Sequence, residues 1–88
     1  MLAIRTSTKF KKDLKKAQKQ GKDTELLKAV ITLLAEEKPL PEKHRDHTLQ
    51  GNYTDCRECH LQPDWLLIYR ATQTELQLVR LGSHSELF

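Results

Sequence analysis

Two prolines, Pro39 and Pro41, divide the 88-residue chain into halves of different hydrophobic period. A helix does not run through such a pair, because proline lacks the backbone donor and restricts the residue before it. Whatever lies before the pair must therefore complete its helices there, and the rest must form something else.

Before the prolines the period is helical. Thr6-Ser7-Thr8 offers capping hydroxyls, and Phe10, Leu14 and Ala17 follow at i, i+4 and i+7 with lysines filling most positions between. This spacing predicts a helix of about three turns with one narrow apolar stripe, stopped at Gly21. Asp23 or Thr24 caps a second helix, whose face of Leu27, Val30, Ile31 and Leu34 is widened by Leu26 and Leu33. Its breadth predicts deeper burial, and it should end near Glu37. Leu2 to Arg5 alternates and reads as a first strand.

After the prolines the period is that of strands. Tyr53 to Gln62 alternates, Gln62-Pro63-Asp64 reads as a turn, and Trp65 to Tyr69 has the apolar run of a central strand. Ala71 to Thr74 is a second turn, and Glu75 to Leu81 alternates again. Helices first and strands after them predict an α+β domain over residues 1–88, with two N-terminal helices packed on one face of a twisted antiparallel sheet. A composition of 38% hydrophobic and 31% charged residues suits such a domain. No apolar run approaches the roughly 20 residues of a membrane span. The N-terminus carries no apolar leader stretch. The expected location is the cytoplasm, with no membrane partner and with Cys56 and Cys59 reduced.

The charge is lopsided. Arg5 and seven lysines against Asp13 alone give residues 1–22 a net +7, while residues 23–88 carry a net −4. A local Lys field is either a solvated helix face or an attractor for phosphates or an acidic protein.

The second half holds His44, His47, His60 and His84, together with Asp46, Asp64, Arg57, Arg70, Arg80 and Trp65. Such a set suits RNA cleavage. RNA supplies its own nucleophile, the 2′-hydroxyl, so the protein needs a base, an acid and a cation for the charged phosphorus centre. Histidine fills both proton roles near neutral pH, and the arginine fork matches phosphate oxygens. No metal or other cofactor is expected. The Cys56-Arg-Glu-Cys59-His60 run has the C-x-x-C-H form of haem attachment. In a strand, however, residues three apart point to opposite faces, and zinc would need further ligands. Both thiols are expected to be ordinary small side chains.

Three segments carry a resemblance. Asp46-His47-Thr48-Leu49-Gln50-Gly51, Arg57-Glu-Cys-His60-Leu-Gln-Pro63-Asp64-Trp65 and Arg80-Leu-Gly82-Ser83-His84-Ser-Glu-Leu87-Phe88 resemble, in order and spacing, the D-H-x-L-x-G, R-x-x-H-x-x-P-D-W and R-x-G-[ST]-H-x-x-L-F segments of YafQ-like toxins of the RelE superfamily. The resemblance implies a RelE-like fold and a ribosome-dependent endoribonuclease that cuts messenger RNA in the A site of the 70S ribosome. It also implies inhibition by a cognate DinJ-like antitoxin. A ParE-like inhibitor of DNA gyrase, without nuclease activity, is the alternative on the same scaffold.

Roles follow by position. His84 is the expected general acid. His60 and Asp64 supply the base or position RNA, and His47 is base or phosphate ligand. Arg80 is the expected transition-state cation. In a regular strand it would share a face with the apolar Leu76 and Leu78, so either it lies past the covered edge or the register changes. Trp65 either stacks on a base or packs in the core, and Phe88 is expected to shape the RNA pocket. Lys9, Lys11, Lys12, Lys15, Lys16 and Lys19, with Lys22, are expected to contact ribosomal RNA by charge.

Overall fold

A computed structural model of the chain describes residues 1–49, 53 and 55–88. Gln50 and Gly51, which close the first motif, lie outside these residues. Strand β1 (Ala3–Thr6) leads into helix α1 (Thr8–Lys19) through Ser7, whose hydroxyl accepts from the Phe10 amide at 2.9 Å. The helix ends as expected: Gly21 takes φ +74°, and the Lys22 amide donates back to the Ala17 carbonyl. Asp23 caps α2 (Thr24–Ala35), accepting from the amides of Glu25 and Leu26. This second helix stops at Ala35, short of the expected Glu37. Glu37 turns left-handed at φ 59°, and the Lys38 amide donates to the Leu33 carbonyl, so the chain has left the helix before it meets the prolines.

A short 3-10 turn (Glu42–His44) leads into strands β2 (His47–Thr48), β3 (Arg57–Gln62), β4 (Trp65–Ala71) and β5 (Glu75–Gly82), then a four-residue helix α3 (His84–Leu87). The five strands form one sheet in the order β1-β5-β4-β3-β2. The sheet is mixed rather than wholly antiparallel, because β1 lies parallel to β5 while every later pairing is antiparallel. The strand preceding the helices thus returns to the sheet's far edge, beyond the run of hairpins.

Phe10, Ala17, Leu27 and Val30 of the helices pack against Trp65, Leu67, Tyr69, Leu76, Leu78 and Leu81 on one face of the sheet. Leu66 and Ile68 point to the other face, where Leu87 of α3 and half-buried Leu49, Tyr53, Cys56 and Val79 cover them. The first five residues of β4 are buried on both sides, as their continuous apolar run requires. Among the described residues, no helix is long and apolar enough to cross a membrane.

A β-bulge resolves the conflict over Arg80. Tyr69 pairs with Leu78 and Ile68 with Arg80, so Val79 is the extra residue. The bulge reverses the alternation, and Arg80 leaves the helix-covered face of Leu76 and Leu78 for that of Ile68. Strand β1 ends opposite Leu78, and α1 serves the edge of β5 beyond it. The Ser7 hydroxyl donates to the Val79 carbonyl at 2.7 Å, and the Leu81 amide donates to Asp13 Oδ2 at 3.0 Å.

Candidate active site

The sheet face opposite α1 and α2 gathers the histidines. His47 pairs with Glu58 in register and His60 with Leu66, so the side chains of His47, Glu58 and His60 share the face of Leu66, Ile68 and Arg80. Helix α3 folds over its end. Its first residue is His84, and Ser83 before it forms a reciprocal cap. The Glu86 amide donates to the Ser83 hydroxyl, while the Ser83 amide donates to Glu86 Oε1 at 2.8 Å. Lys16 of α1 forms an ion pair with the other Glu86 oxygen. Together these bonds hold the Glu86 carboxyl down at about 2, with the Lys16 bond the larger cause. Gly82 leaves room for this turn, since a Cβ there would stand 3.1 Å from Glu86 Oε1 and 3.4 Å from Leu87 Cδ2.

Asp64, in the turn between β3 and β4, fixes His84 twice. The His84 backbone amide donates to Asp64 Oδ1 at 2.9 Å, and His84 Nδ1 lies 2.8 Å from the same oxygen. These bonds lower the Asp64 pKa, the backbone one first. An ionised carboxylate only accepts, so Nδ1 carries the hydrogen and Nε2 is left to face a substrate. A carboxyl so engaged is a weak base. Asp64 suits orienting His84.

The three motif imidazoles stand in a row. The ring centres of His84 and His60 are 5.8 Å apart, and those of His60 and His47 are 6.2 Å apart. Phe88 continues the row 6.4 Å beyond His84, and Tyr53 meets it edge-on. Glu58 lies under the row. It is only 4% exposed, and its Oε1 stands 3.6 Å from His60 Nε2 and 3.7 Å from His47 Nε2. A buried carboxyl needs such partners. Sequence reasoning missed Glu58, although its place two residues before His60 on a strand puts both on one face. The same three residues offer ligand atoms within 4.8 Å of one another and could hold a metal ion. Two imidazoles and a carboxylate suit a zinc-like or copper-like divalent ion.

Several expected residues fall elsewhere. Trp65 is 2% exposed and packs on the helix-covered face, so it is a core residue and does not stack on RNA. Asp46 and Arg57 bind each other at 2.8 Å, and the Tyr69 hydroxyl donates to Asp46 at 2.6 Å, which makes them a structural group. Arg80 shares the site's face but is partly engaged, with Nε and Nη2 donating to the two oxygens of Asp13 at 2.7 and 3.2 Å. Lys9, Lys11, Lys12, Lys15 and Lys19 are exposed along α1. Lys16 is exposed too, and its ammonium pairs with Glu86 and so steadies α3. Burial pushes the Cys59 thiol up to about 12, and Cys56 lies on the opposite face, in keeping with two unpaired cysteines.

Over residues 2–88 the sequence matches the family described as "Bacterial toxin of type II toxin-antitoxin system, YafQ". The chain belongs to the YafQ toxin family. It is 44% identical over 86 residues to the mRNA interferase toxin YafQ of Escherichia coli K12, covering 97% of this chain and 94% of that protein. It is also similar to the E. coli DinJ–YafQ toxin–antitoxin complex, at 43% identity and a TM-score of 0.92 over 99% of this chain and 97% of that one. A metal-bound toxin from Helicobacter pylori is 56% identical, with a TM-score of 0.94 and both chains covered in full. Family membership and a shared RelE-like α+β fold agree with the reading of the three motifs.

Proposed function

We propose that the chain is an endoribonuclease, an mRNA interferase that cuts translated message in the ribosomal A site and is silenced by a DinJ-like antitoxin. The row of imidazoles, with Asp64 orienting its outermost member, carries this reading. In-line attack of the 2′-hydroxyl on phosphorus places nucleophile and leaving oxygen on opposite sides. The acid and the base must then approach from two directions. His84 protonates the 5′-oxygen through Nε2, with the Asp64 carboxylate holding the ring at Nδ1. His60, next in the row, takes the 2′-hydroxyl proton, and His47 holds a phosphate oxygen. Arg80 adds positive charge on the same face. Phe88 borders His84 and shapes the pocket for a base. The exposed lysines of α1 bind ribosomal RNA. The proton transfers run between imidazoles and need no metal ion. A relative named an mRNA interferase and another solved with DinJ support the same assignment.

A ParE-like gyrase inhibitor acts by binding and requires no ordered acid and base. The test is induction of the wild type and of His84→Gln in separate bacterial cultures, with the 5′ ends of a translated message mapped. In-frame cuts with the wild type alone are expected. Growth arrest by both proteins without new cuts would replace the nuclease with the gyrase inhibitor.

A further inference from the structure

A cavity of about 510 Å3 opens beside the row of imidazoles and is lined by Lys43, Arg45, His60, His84, Leu26 and Leu61. Two catalytic candidates therefore share one hollow with two cations that no motif includes. His44 explains how the cations reach it. This side chain is buried, and its Nδ1 lies 2.7 Å from the His60 carbonyl, which pins the 3-10 turn to β3. Its neighbours on either side, Lys43 and Arg45, are exposed, and neither forms an ion pair among the described residues. The pinned residue thus delivers both charges to the flank of the site.

The backbone at Arg45 points to use of its side chain. Arg45 is left-handed at φ 45° and ψ 50°. Glycine or asparagine takes that conformation with less strain than other residues do. A long cation at such a position, unpaired and beside two imidazoles, marks a ligand site more than a turn. Apolar Leu26 and Leu61 line the same cavity as the cationic groups, a combination that matches a nucleotide with its flat apolar base and anionic phosphate.

We infer that this cavity is a subsite for the nucleotide adjoining the scissile phosphate, with Arg45 and Lys43 holding its phosphate and Leu26 and Leu61 walling its base. The inference rests on the nuclease reading above and assigns the substrate contact on one side of the cut. Contacts to phosphate carry little base specificity, so the subsite positions message of any sequence.

The test uses the purified toxin and a short fluorescent single-stranded RNA made uncleavable by 2′-O-methylation. Binding is measured by anisotropy over a range of salt for the wild type, Lys43→Gln, Arg45→Gly and Arg45→Asn, both of the last suited to a left-handed backbone. Each variant should bind about tenfold more weakly, and the slope of log affinity against log salt should fall by about one. Thermal midpoints should stay within a few degrees of the wild type. Cleavage of an unmodified message on programmed ribosomes by the wild type checks the nuclease reading separately. Unchanged affinity and salt slope in all three variants would overturn the subsite while leaving the nuclease intact. A wild type that binds the RNA but cuts no message would overturn the nuclease and leave the subsite standing. A wild type that does not bind RNA would overturn the subsite.

Discussion

Replacing Asp13 with alanine tests how α1 is fastened to the sheet. The carboxylate accepts two bonds from Arg80 and one from the Leu81 amide, at 2.7, 3.2 and 3.0 Å. Side-chain exposures of 20% for Arg80 and 16% for Asp13 place the pair closer to a buried than to a surface bridge. Breaking a buried pair from one side costs about 3–5 kcal/mol, because the other charge is left uncompensated. The residual exposure lets water reach Arg80 and lowers that figure, while the orphaned Leu81 amide adds about 1 kcal/mol. The expected loss is therefore about 3 kcal/mol. A domain of this size has a total stability of only about 4–13 kcal/mol. Urea unfolding should show the loss as a lower midpoint with an unchanged slope. Asp13→Ala combined with Arg80→Gln should lose less than the sum of the single variants, since the second change removes the stranded charge. A loss below about 1 kcal/mol for Asp13→Ala, or simple additivity in the double variant, would refute this account.

Other consequences follow from the same geometry. Glu86 titrates at about 2 in the folded chain against an ordinary value of 4.5, so its bonds stabilise the fold fully above the ordinary value and are lost as pH falls through the folded one. Unfolding midpoints measured from pH 6 down to pH 2 should fall less steeply for Glu86→Gln than for the wild type, and parallel curves would count against the Lys16–Glu86–Ser83 network. Leu87→Ala empties a buried position between Leu66 and Ile68 and should cost about 2–4 kcal/mol. It should also abolish cleavage at temperatures where the protein is still folded by circular dichroism, because α3 no longer seats His84. Full activity in a folded Leu87→Ala protein would separate α3 docking from the chemistry. A zinc ion held by His47, Glu58 and His60 would occupy the lone pair that His60 needs as base. Cleavage assays should show inhibition by added zinc and recovery with a chelator, and Glu58→Gln should need more zinc for the same effect.

The parts of the fold set by local chemistry were readable from the chain. Ser7, Gly21 and Asp23 announce helix boundaries through capping geometry, and the Trp65–Tyr69 run announces a strand buried on both faces. Pairing direction was not readable for β1, because its partner lies some 70 residues away and parallel and antiparallel partners ask for the same residue types. The face of Arg80 stays open in the sequence, between a covered edge and a change of register, for a related reason: the bulge at Val79, which decides for the second, has no glycine to mark it. Trp65 belongs to the core by the same parity rule that puts Leu67 and Tyr69 there, so its burial was available from the pattern. The motif residues His47, His60 and His84 do converge, but spacing alone says nothing of convergence between β2, β3 and α3. Glu58 and Arg45 lie on the page as ordinary charged residues until the register of β3 and the anchoring of His44 give them neighbours.

The bulge in β5 has a further consequence. Up to Leu78 the strand answers to β1, and from Val79 onward it answers to α1 and α3, so one strand has two sets of obligations joined at a single unpaired residue. Losing Val79 would run the ladder straight from the Tyr69–Leu78 pair to the Ile68–Arg80 pair, keeping Arg80 and Gly82 on their faces but removing the bend in the strand and the carbonyl that the Ser7 hydroxyl meets. The consequence falls on the fastening of α1, which this short stretch of strand edge holds through the Val79 carbonyl and the Leu81 amide.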